Sequence, residues 1–80
     1  MDSRSADHVA FGRAIRELRQ EQHVSQEELS HRSGLDRSYM GGVERGERNV
    51  SLANILRIAA GLDVSPIVLF ERFEQLTPGR

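Results

Sequence analysis

Ser25-Gln26-Glu27-Glu28-Leu29-Ser30-His31-Arg32-Ser33-Gly34-Leu35-Asp36-Arg37-Ser38-Tyr39-Met40-Gly41-Gly42-Val43-Glu44-Arg45-Gly46 is the stretch that decides the fold of this 80-residue chain. Ser25 and Glu28 have the spacing of a capping box. In that motif the serine oxygen accepts a backbone N–H at a helix start and the glutamate reaches back to the serine N–H. Gly34 can take the left-handed backbone that ends such a helix. Leu35 follows as an apolar plug. Asp36 is the next N-cap, and its charge suits the positive end of a helix. Gly46 closes the second helix, again in the left-handed position.

Two short capped helices split by Gly-Leu-Asp lay out a helix-turn-helix, whose second helix enters the DNA major groove. In that second helix Met40 and Val43 share a face with Leu35 and point to the core. Arg37, Ser38, Gly41, Gly42 and Arg45 fall on the opposite side, with Tyr39 and Glu44 at the boundary. A glycine inside a helix costs about 1 kcal/mol, so the Gly41-Gly42 pair points to close backbone approach by something else. The competing reading is an ordinary solvated face on a weak helix.

Arg37 leads the expected base readers, since a first-turn outward arginine can donate two hydrogen bonds to guanine O6 and N7. Ser38 can bond a base edge or approach a thymine methyl. Tyr39 either lies along the groove wall or packs half-buried with its hydroxyl in water. Backbone contacts are expected from Gln26, Gly41, Arg45, Arg48 and Asn49. Gln26 stands at a helix N-terminus, where backbone N–H groups also receive phosphate. Such contacts position a protein without reading sequence.

The remaining residues predict three more helices. Helix 1 spans about Asp7 to Gln22, with Phe11, Ala14, Ile15 and Leu18 inward. Ser51 caps helix 4, whose expected core face is Leu52, Ile55, Leu56 and Ala59, with Gly61 as its stop. Ser65-Pro66 starts helix 5, proline sitting where its missing N–H costs nothing, and Leu69, Phe70 and Phe73 face inward. The fold class is therefore all-α, a compact five-helix domain over residues 7–76. Residues 1–6 form a flexible N-terminal arm and 77–80 a frayed tail. Ile58, Leu62, Ile67 and Val68 lie off the main stripes and suggest a homodimer interface. Their alternative is completion of the monomer core.

The formal net charge is −1 with Asp and Glu at 12 against 11 basic residues, whereas a nucleic-acid binder more often shows a basic balance. Placement matters more than the sum: Arg32, Arg37, Arg45 and Arg48 gather around the second helix of the motif. Every basic residue is arginine, whose planar fork suits phosphate and guanine. There is no cysteine, and His8, His23 and His31 lack the spacing of a metal site. No nucleophile–base order, glycine-rich phosphate loop or isolated acid pair suggests an enzyme. No cofactor or small-molecule ligand is implied. No apolar run is long enough for a membrane span and the N-terminus lacks a signal-type stretch, so a cytoplasmic location is expected.

Residues 11–70 resemble the XRE-type (Cro/C1-like) helix-turn-helix family. The resemblance rests on Ser25-Gln26-Glu27-Glu28-Leu29, Gly34-Leu35, Val43-Glu44-Arg45-Gly46 and the Leu52 to Leu62 helix. Leu35-Asp36-Arg37-Ser38-Tyr39-Met40, followed by Val43-Glu44-Arg45-Gly46-Glu47-Arg48-Asn49, is similar to the controller proteins of restriction–modification systems. The resemblance implies a lambda-repressor-like domain, dimerisation through C-terminal helices, and an Arg19–Glu44 bridge joining helix 1 to the recognition helix. It also implies phosphate contact by Gln26 and base contact by Arg37 and Ser38. The two glycines depart from the polar readers common later in that helix, which shifts weight to DNA shape. In related phage repressors an acidic patch near Glu27 touches RNA polymerase; equally, Glu27 is an ordinary first-turn acid.

The expected function is a homodimeric, sequence-specific transcription regulator binding an inverted repeat in double-stranded DNA. Control of restriction–modification genes is its sharpest form. The alternative is an antitoxin-type interaction module that holds a partner protein through helices 4 and 5.

Overall fold

The computed structural model describes residues 5–77. They form five helices: α1 (Ala6–Glu21), α2 (Gln26–Ser33), α3 (Arg37–Glu44), α4 (Leu52–Gly61) and α5 (Pro66–Gln75). Each begins at a polar N-cap whose side-chain oxygen accepts a backbone N–H from the first turn: Ser5, Ser25, Asp36, Ser51 and Ser65. α1 begins at Ala6, one residue before the expected Asp7, with Ser5 as its cap, so these two residues belong to the helix and its cap rather than to an arm. Residues 1–4 of the expected arm and 78–80 of the expected tail lie outside the described residues. Thr77 is described, and its hydroxyl donates to Glu74 O at 3.0 Å at the end of α5. The Ser25 half of the capping box forms, with Glu28 N–H on Ser25 Oγ at 3.0 Å. The Glu28 carboxylate turns the other way and takes Arg32 Nε at 3.1 Å, one helical turn on.

α2 packs against α4, and α1 bridges α3 and α5. Phe11, Ala14, Ile15 and Leu18 of α1, Leu29 of α2, Met40 and Val43 of α3, and Leu69 of α5 enclose the core. The contribution of α4 differs from the sequence reading. Ile58, Ala59 and Leu62 are buried, whereas Leu52 is 70% exposed and Leu56 also faces out. Ile58 and Leu62 are thus core residues of the monomer and cannot form a dimer interface. At about 100° per residue, the large apolar positions of α4, Leu52, Ile55, Leu56 and Ile58, cover an arc of about 160° from Leu56 round to Ile58. The core occupies only the Ile58 side of that arc. On α5, Leu69 is buried and Phe73 half-buried, while Phe70 is exposed at the edge of a ring cluster. Its centroid lies 5.6 Å from Phe11 and 6.2 Å from Phe73.

Gly34 (φ 67°) and Gly46 (φ 78°) are left-handed, as a turn after each motif helix requires. α4 stops at Gly61 as expected, but Gly61 itself is helical and does not make the turn. It is the last residue of α4, and Asp63 (φ 56°) takes the left-handed turn instead. A Cβ on Gly61 would collide with the Ser33 hydroxyl, so this glycine sets how closely α4 approaches α2.

Candidate nucleic-acid interface

The second helix of the motif, α3, is fixed from both ends. At its start, Asp36 accepts from Ser38 N at 3.0 Å, Tyr39 N at 3.3 Å and Ser38 Oγ at 2.7 Å. The Ser38 hydroxyl, then the Tyr39 and Ser38 amides, hold the Asp36 carboxyl below its usual range. Ser38 therefore has its donor committed to the cap. At the other end, Glu44 is buried, its side chain 0% exposed. Arg19 of α1 grips it with two parallel bonds, Nε to Oε2 at 2.7 Å and Nη2 to Oε1 at 2.9 Å, and gives its remaining nitrogen to Val24 O at 3.0 Å. Gln26, the first residue of α2, donates its amide to Glu44 Oε1 at 2.9 Å. One carboxylate thus ties α1, α2 and α3 together and sets the angle between the two motif helices. The Arg19–Glu44 pair matches the resemblance, whereas Gln26, expected only on phosphate, also joins the junction. The signal for a further role was its position at the start of α2, opposite the end of α3.

The outward side of α3 carries exposed Arg37, Ser38 and Arg45. Gly41 and Gly42, expected as bare outward positions, are buried beneath side chains. A Cβ on Gly41 would stand 3.0 Å from an Arg45 nitrogen, 3.1 Å from one of Arg37 and 3.6 Å from Gln26 Oε1. Over Gly42 lies the Arg48 stem, 3.0 Å from the same kind of point. The glycine pair is a shallow saddle in which three arginine side chains lie flat against the helix, so direct backbone contact through Gly41 requires those side chains to lift. Arg45 also pairs with Glu47 at 3.1 Å.

Tyr39 packs as its second expectation has it, except that its hydroxyl is bonded within the protein rather than left to water. It is half-buried, its hydroxyl accepts from Asn54 Nδ2 of α4 at 3.0 Å, and Arg48 lies 5.8 Å above its ring. Arg48 is thereby held against the end of the recognition face. The next residue, Asn49, meets His8 of α1 at 3.4 Å. Glu27 is exposed in the first turn of α2. The structure brings Gln26, Arg37, Gly41 and Arg45 to one place and Tyr39, Arg48 and Asn54 to another at its edge. Asn54 was not anticipated, because nothing local in the sequence links it to Tyr39. Among the described residues no group of acids and histidines could hold a metal ion, and no single helix is long and apolar enough to cross a membrane.

The helix-turn-helix family profile matches residues 15–69. The restriction–modification controller protein C.AhdI from Aeromonas hydrophila is 61% identical over 82% of this chain and 100% of its own, with a TM-score of 0.81. Control protein C.MunI from a Mycoplasma species is 40% identical over 68 residues, covering 84% of this chain and 92% of that protein. The controller protein C.Esp1396I, whose tetramer was solved in complex with its natural 35 base-pair operator, is 35% identical, with a TM-score of 0.85 over 90% of this chain and 95% of its own. The chain belongs to the XRE-type helix-turn-helix family and stands among its restriction–modification controller proteins.

Proposed function

We propose that this protein is a DNA-binding transcriptional regulator that controls restriction–modification genes from an inverted-repeat operator. The observation that carries the reading is the buried Glu44 junction, which sets α3 rigidly against α1 and α2 while Arg37 and Arg45 remain on its exposed side. In this reading α3 lies in the major groove and Arg37 extends from the saddle to read guanine. Ser38 and Tyr39 assist from the first turn. Gln26, Gly41, Arg45, Arg48 and Asn49 hold the backbone, and Glu27 is the polymerase-facing acid. The protein is regulatory rather than enzymatic and works in the cytoplasm.

It acts as a homodimer, with further pairing of dimers on a long operator of the kind C.Esp1396I occupies as a tetramer. Ile67 and Val68 of α5 remain exposed for the dimer contact, Ile67 at 69%, and Leu52, Leu56 and Phe70 add apolar surface the sequence reading had assigned inward. Selection of bound duplexes from a random pool tests the function. An enriched inverted repeat, with half-sites about one helical turn or a multiple apart, is expected. Weak binding without enrichment would overturn it and favour a protein-interaction module.

A further inference from the structure

The Glu44 junction holds more positive charge than it consumes. Oxygen Oε1 already accepts Arg19 Nη2 at 2.9 Å and Gln26 Nε2 at 2.9 Å, which fills the usual capacity of one carboxylate oxygen. A second arginine of α1, Arg16, brings Nε to 3.6 Å from that same oxygen. That distance is an ion pair but no hydrogen bond. Arg19, with its side chain 13% exposed, spends its nitrogens inside the junction, whereas Arg16 is 47% exposed. Among the described residues the Arg16 side chain donates no hydrogen bond. Other nearby acids are engaged with other arginines: Glu17 with Arg13 and Arg72, Glu21 with Arg72, and Glu47 with Arg45. One buried negative charge thus faces two guanidinium groups, and the surplus sits on Arg16, which approaches the same Glu44 oxygen as the Gln26 amide at the start of α2.

We propose that Arg16 is a phosphate anchor, a residue that takes a DNA phosphodiester oxygen alongside Gln26 while Glu44 holds its stem in place. The inference rests on the DNA-binding reading above. A guanidinium already drawn to a fixed carboxylate offers its outer nitrogens to phosphate with little further ordering. Because the contact is to backbone, it adds affinity and orientation without reading bases.

The test measures binding of wild type, Arg16→Ala and Arg16→Lys across a range of salt concentrations. The probes are the duplex enriched from a random pool and an unrelated duplex of equal length. Arg16→Ala is expected to weaken binding to both duplexes alike and to lower the salt slope by about one, with the thermal midpoint and base preferences unchanged. Arg16→Lys keeps the slope. An unaltered slope in Arg16→Ala overturns the anchor, whether or not the thermal midpoint falls. Failure of the wild type to bind any duplex overturns the DNA reading and the anchor together.

Discussion

The corner where α2 meets α3 and the layer formed by α4 and α5 are built on opposite principles. The corner is joined by a buried carboxylate shared among Arg19, Gln26 and, at longer range, Arg16. The α4–α5 layer is joined by apolar burial at Ile58, Leu62 and Leu69, with Leu52, Leu56 and Ile67 left facing out. Directional bonds fix the angle of a recognition helix because each has a narrow geometry. Apolar burial is tolerant of angle and leaves surface that a second copy can cover.

The largest effect should follow from breaking the corner. Glu44→Ala leaves Arg19 mostly buried without its partner and is expected to cost about 3–5 kcal/mol. Urea unfolding followed by circular dichroism measures it, and a loss below about 1 kcal/mol would show that the junction behaves as a surface pair. In the other region the contrast lies between two residues of one helix. Ile58→Ala should cost about 2–5 kcal/mol of stability through its buried cavity, while Leu52→Ala should leave monomer unfolding nearly unchanged. Both variants need comparison at equal protein concentration, since association shifts apparent stability. Equal losses from the two would contradict the placement of α4.

That contrast also shows what the sequence discloses. The caps at Ser25, Asp36, Ser51 and Ser65 and the left-handed Gly34 and Gly46 are local events, and a few neighbouring residues specify them completely. The core face of α4 is not local. Its apolar arc is wider than the contact it makes, and only the position of α2 selects the Ile58 side. Gly61 likewise marks the end of α4 in the sequence, but its packing role is invisible there, because the Ser33 hydroxyl that demands a glycine comes from another helix. At the recognition face the period of α3 correctly exposed Arg37 and Arg45. It gave no sign that arginine stems would roof Gly41 and Gly42, since flexible side chains choose their course in three dimensions.

A smaller effect is expected on the far side of α1, where Arg72 of α5 reaches Glu21 at 2.6 Å and Glu17 at 3.1 Å. Its hydrogen bond holds the Glu21 carboxyl below the usual range. A depressed carboxyl stabilises the fold above its ordinary pKa, and that support is lost as pH falls through the lowered value. Thermal midpoints of Arg72→Met should therefore depend less on pH than wild type on the acid side. An identical acid-side slope would show that the pair is energetically idle. The smallest effect is expected at Ser33, whose buried hydroxyl has no hydrogen-bond partner among the described residues. Ser33→Ala should be neutral or slightly stabilising, and a clear loss of stability in unfolding would reveal an unseen partner such as an ordered water.

In this structure the Glu44 junction would aim Arg37 at a base. That role is tested most directly by measuring wild type and Arg37→Ala against every single-base variant of the half-site enriched from a random duplex pool. Arg37→Ala should lose about 1–3 kcal/mol on the preferred duplex, with discrimination relaxed at one base-pair position and retained elsewhere. A uniform loss at every position would contradict that role and make Arg37 a backbone contact.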